Sequence, residues 1–112
     1  MSIRYEPFNN AEEVWFWYCS CLLVRGNGLR SKSDYPGLPR DCELGDIEGI
    51  LKRMKADNCI TNRHLRVLYR WGGLFCTPYY DRRAKKSEII LWEEAIRWFD
   101  VYLRAKNILG NL

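Results

Sequence analysis

At 112 residues, 47% hydrophobic and 14% aromatic, the chain can bury one core, which excludes general disorder and predicts a single domain over 1–112. The formal net charge is only +4, but it is concentrated: 25–40 and 61–86 are basic, while 1–24, 41–60 and 87–112 are each mildly acidic. Two basic blocks are the electrostatic footprint of a protein that meets a polyanion.

The first predicted element is a helix to about Arg25, capped by Asn9 or Asn10, with Glu12 and Glu13 in its positive first turn. Its middle, VWFWYCSCLLV, is apolar on every side, which predicts a helix enclosed by others or shared with a second subunit; a buried strand is the competing reading. Gly26-Asn27-Gly28 ends it and opens a basic loop over about 25–41, where glycines and prolines leave little room for regular structure. Arg30 and Lys32 lie in that loop.

ELGDIEGILKRMKADN, 43–58, sets Leu44, Ile47, Ile50, Leu51 and Met54 at helical spacing, and its charges match the helix dipole. Asp57-Asn58 makes a turn, Thr61 caps a short helix over 61–71, and Gly72 stops it. Thr77-Pro78 starts a helical turn, and DRRAKKS has almost nothing apolar to hold it to a core. A last helix covers about 87–107, with Ile89, Leu91, Trp92, Ala95, Ile96, Trp98, Phe99, Tyr102 and Leu103 spread over roughly 200° of its circumference. The expected fold is therefore an all-α bundle of four or five helices. So wide an apolar arc predicts a homodimer that buries Trp92, Trp98, Phe99 and Tyr102.

On the 61–71 helix Arg63, Arg66 and Arg70 fall within about 60° of one another, opposite Leu65, Leu68 and Tyr69, with Val67 and Trp71 at the border. A short basic helix after a helix and a tight turn is a helix-turn-helix pattern, although Met54 stands where a small residue is usual and Asn58 where glycine is. Guanidinium groups suit phosphates and guanine edges, and Asn62 can serve adenine. Arg82, Arg83, Lys85 and Lys86 supply a second basic segment able to lie along phosphates. In the opposite assignment, 61–71 is the first helix of the pair and the last helix reads DNA.

Catalysis is not expected. His64, the only histidine, has no cysteine or serine at a spacing that suggests a partner, and Asp41, Glu43, Asp46 and Glu48 are explained by a helix N-terminus. No glycine loop cradles phosphate, and neither cofactor nor metal is implied. Cys19, Cys21, Cys42, Cys59 and Cys76 form an odd set with no C-x-x-C, which points to free thiols in a reducing cytosol. MSIRYEPFNNAEE lacks the features of a signal peptide, and VWFWYCSCLLV is about half the length of a bilayer span. The expected location is cytoplasmic.

Through YEPFNNAEEVWFWYCS, GDIEGILKRMK and ITNRHLRVLYRWG, most of the chain resembles the small basic DNA-binding transcriptional regulators of obligate intracellular alphaproteobacteria. That resemblance implies a homodimeric regulator of promoter activity acting on double-stranded DNA. The alternative is a non-catalytic adaptor of the transcription or translation machinery, with RNA polymerase as a candidate partner.

Overall fold

The computed structural model describes residues 8–26, 44–106 and 108–109. Four α-helices and one 3-10 turn make up the described chain, and no strand occurs among the described residues. They are α1 (Ala11–Gly26), α2 (Leu44–Ala56), α3 (Asn62–Leu74), the 3-10 turn Pro78–Tyr80 and α4 (Lys86–Ala105). Most of the expected basic loop, with Arg30 and Lys32, lies outside the described residues, as does Cys42.

The apolar run in α1 is a helix because three other helices enclose it. Val14, Trp15, Tyr18, Cys19 and Cys21 are buried, and Phe16, Trp17 and Leu22 pack against the same core. The cap is Asn10, whose side-chain oxygen accepts the Glu13 N–H at 2.8 Å. At the far side of the core α4 packs on all three other helices and carries the 3-10 turn. α2 and α3 are consecutive but meet largely through α4 and α1.

Two tight turns set the helix lengths. α2 ends at Asn58, with φ 61°, where the Asn58 N–H bonds the Lys55 carbonyl at 3.0 Å and the Cys59 N–H bonds that of Met54 at 2.9 Å. This is a Schellman closure, and asparagine tolerates the left-handed region well enough to stand in for glycine. α3 closes the same way at Phe75, φ 54°, with Phe75 N–H on Gly72 and Cys76 N–H on Trp71.

The expected stop at Gly72 is therefore wrong: α3 runs through both glycines to Leu74. Gly72 is there for closeness. A Cβ on it would lie 2.5 Å from Cys19 Sγ and 2.6 Å from Trp15 Nε1, so the absent side chain lets α1 and α3 touch. That approach brings Trp15 Nε1 to 2.8 Å from the Leu68 carbonyl, satisfying an indole N–H that has no access to water. Trp15 also meets Phe99 edge-on at 5.7 Å and Tyr69 at 5.1 Å.

Gly72→Ala, although favourable for helix propensity, should lower stability by about 1–3 kcal/mol, the usual cost of overpacking a core. Thermal and urea unfolding followed by far-UV circular dichroism would measure this. Gly73→Ala is the control: beyond its chain neighbours and its own helix's backbone nothing lies within 4 Å of the added Cβ, and it should leave stability equal or slightly higher.

Candidate nucleic-acid interface

α3 is tied down at its start by its histidine. Thr61 is extended, and its N–H donates to His64 Nδ1 at 3.0 Å, the role a glutamate plays in a capping box. An Nδ1 that accepts leaves the proton on Nε2, which donates to Glu94 Oε1 of α4 at 3.0 Å. His64 thus orients the arginine-bearing helix.

The rotation of α3 differs from the sequence expectation. Val67 and Trp71, expected at the border, are buried with Leu68, while Tyr69, expected inside, is exposed at the edge. Trp71 turns inward because its Nε1 finds an acceptor there, Glu88 Oε2 at 3.3 Å. The arginine stripe stays outward: Asn62, Arg63, Arg66 and Arg70 are all exposed.

The three arginines are not equivalent. Arg63 and Arg66 have no ion-pair partner among the described residues. Arg70 is held by Glu88, Nε to Oε2 at 3.5 Å, with its guanidinium 5.5 Å from the centre of the Trp71 ring. Glu88 serves three groups, since its other oxygen accepts the Lys85 N–H at 3.1 Å and caps α4.

The second basic segment is anchored beside this cluster. Arg83 forks onto Asp81, Nε to Oδ1 at 3.0 Å and Nη2 to Oδ2 at 2.7 Å, while its backbone N–H takes Oδ1 at 2.8 Å. Its guanidinium also lies 5.9 Å from the Trp71 ring centre, so the end of the α3 stripe and the 81–86 segment converge on one indole. Arg82, Lys85 and Lys86 are exposed and have no ion-pair partner among the described residues. Asp81 and Glu88 were the residues that the sequence did not single out. The available signals were their spacings: Asp81 two before Arg83, and Glu88 three after the α4 cap.

The expected dimer residues need correction. Trp92 and Phe99 are wholly buried in this chain's own core, Trp92 stacked on Phe16 and bonded to Glu12 Oε2 at 2.8 Å, Phe99 against Trp15. Neither has surface to offer a second copy. Tyr102 is half-buried and donates to Asp57 Oδ2 at 2.6 Å, so its hydroxyl is engaged within the chain. Only Trp98 of the four faces outward with substantial area. The apolar arc reads wide because residues at its flanks are grazed by the core without being covered by it.

Among the described residues no group of three His, Cys, Asp or Glu side chains is placed to hold a metal, and no helix is long and apolar enough to cross a membrane. Four described cysteines are free thiols, and burial pushes Cys19 up to about 12, leaving it protonated at neutral pH. Comparison of the chain with protein-family models, with curated proteins and with solved structures finds no match.

Arg83 holds the Asp81 carboxyl at about 2, chiefly through the side-chain hydrogen bonds and then through its backbone N–H. A depressed folded value stabilises above the unfolded pKa, and the benefit is lost as pH falls from near 4 through 2. In a carboxyl NMR titration, Arg83→Gln should return Asp81 towards its ordinary 3.8. A wild-type Asp81 that already titrates near 3.8 would show that the fork is not formed in solution.

Proposed function

We propose that the chain is a non-catalytic, cytoplasmic DNA-binding regulator that engages duplex DNA through the outer face of α3 and the 81–86 segment. One observation carries this reading. Arg63 and Arg66 project from a capped helix with no carboxylate to neutralise them among the described residues, and three further exposed cations without an ion-pair partner there, Arg82, Lys85 and Lys86, follow in the 81–86 segment. A merely solvated helix usually mixes its signs at i, i+4, as α4 does with Asp100–Arg104. α3 contains no acidic residue at all.

Within this reading the cations divide by their tethers. Asn62, Arg63 and Arg66 are free to reach base edges, and Arg82, Lys85 and Lys86 are suited to phosphates. Arg70 and Arg83 are pre-positioned by Glu88 and Asp81, with more than half of each side chain exposed; such arginines suit phosphate contacts at low ordering cost. A homodimer, as in the regulators that the sequence resembles, would double the face and set a half-site spacing.

The adaptor reading, with RNA polymerase as the partner, has one observation in its favour. A shallow apolar groove of about 300 Å³ runs between α1 and α3, lined by Cys19, Leu22, Leu23, Tyr69, Gly73 and Phe75. Phe75 sits there in a backbone region that costs a bulky side chain roughly 1–2 kcal/mol.

Gel shifts on a duplex selected from a randomised pool, and on its scrambled version, test the reading across a salt series. Arg63→Gln and Arg66→Gln should each cost about 1–3 kcal/mol on the selected duplex and relax preference at one base pair. Lys85→Gln and Lys86→Gln should weaken both duplexes alike and reduce the salt slope by about one each. Unchanged binding in all four variants would overturn the assignment, and failure to select any duplex would favour the adaptor.

A further inference from the structure

α4 turns outward a row of side chains that reads as its own complement from either end. Ile90, Glu94, Arg97 and Val101 fall within about 60° of the helix circumference, at spacings of four, three and four. Ile90 and Val101 are each 50% exposed, the Glu94 side chain is 55% exposed, and Arg97 is exposed. Trp98, 41% exposed, lies on one flank of the row. The order is apolar, acidic, basic, apolar, with symmetric spacing.

We propose that this row is the contact for a second copy of the chain, the two α4 helices lying antiparallel about a two-fold axis between residues 95 and 96. A two-fold interface must be self-complementary, so that residue i meets j while j meets i. In this register Ile90 meets the partner's Val101, and Glu94 meets the partner's Arg97, twice over. A parallel pair would instead set glutamate on glutamate and arginine on arginine. The charges therefore choose the antiparallel orientation.

The flank adds a second contact. A two-fold axis lying in the interface plane keeps both Trp98 rings on the same edge of the pair. They are five residues apart along the axis in this register, roughly 7.5 Å at 1.5 Å per residue. Two indoles at that separation can meet and cover the charge pairs. A contact of one helix row buries less than the roughly 1,600 Å² of a standard interface, so the dimer should have a dissociation constant in the micromolar range. None of these residues belongs to the proposed DNA face, and the inference stands without it.

Sedimentation equilibrium of the full chain, without nucleic acid, tests the pairing. Glu94→Arg and Arg97→Glu should each weaken self-association by about tenfold or more, because both pairs become repulsive. Mixing the two single variants should restore association as a heterodimer, and the double variant Glu94→Arg/Arg97→Glu should restore the homodimer. Glu94→Arg also releases His64, so Val101→Glu, at a position exposed in the protomer, provides an independent disruption without that loss. Circular dichroism confirms that each variant is folded. A wild-type chain that stays monomeric at high micromolar concentration would overturn the proposal, as would single variants that associate like the wild type or a mixture that fails to pair.

Discussion

The fold depends on placing Trp15 where water cannot reach its N–H. An indole that is 0% exposed brings a large apolar gain and one obligatory hydrogen bond, and the acceptor here is a carbonyl on the neighbouring helix, that of Leu68. Reaching that carbonyl requires α1 and α3 to approach until backbone meets ring, which only glycine at 72 permits. The remaining buried indoles follow the same rule with carboxylates. Trp92 donates to Glu12 across the bundle, and Trp71 donates to Glu88. Each of these three buried tryptophans therefore fixes a helix pair: α1 to α3, α4 to α1, α3 to α4.

This use of carboxylates shapes the surface that remains. Glu12, Glu88, Asp57 and Glu94 accept from Trp92, Trp71, Tyr102 and His64, each through a contact between different parts of the bundle. The same Tyr102 bond, and after it Arg53, holds the Asp57 carboxyl below its usual range, while the bond to Asp57 pushes the Tyr102 phenol up. Glu88 also pairs with Arg70 and Asp57 with Arg53, whereas Arg63 and Arg66 have no ion-pair partner among the described residues and stand on a helix with no acid of its own. DNA is the partner proposed to exploit that positive face.

Helix number, order and approximate ends were legible in the sequence, because caps, periodicity and turn residues are local. Asn10, the Asp57-Asn58 turn, Thr61 and Pro78 carried that information. The exit of α3 was not legible: glycine signals a stop by local rules, while its use at 72 depends on Trp15, far away in sequence. The outward arginine stripe was legible from spacing, but its division was not, since Glu88 and Asp81 belong to other segments. The apolar arc of α4 misled for a related reason. Periodicity places Trp98 in the same arc as Trp92 and Phe99, and only packing separates those two, which are inside, from Trp98, which is out.

Glu94 is where the two proposed surfaces meet. Its Oε1 accepts from His64 Nε2, and that histidine caps the helix carrying Arg63 and Arg66. Its Oε2 has no hydrogen-bond donor among the described residues and is the atom suited to the partner's Arg97. A carboxylate can accept at both oxygens at once, so pairing across the two-fold need not release the cap. An arginine arriving at Oε2 would instead hold the carboxylate in the one rotamer that serves His64, since fixing a side chain for one bond lowers the entropy lost in making another. Association through α4 would in this way stiffen the start of α3, and the coupling would pass through a single side chain.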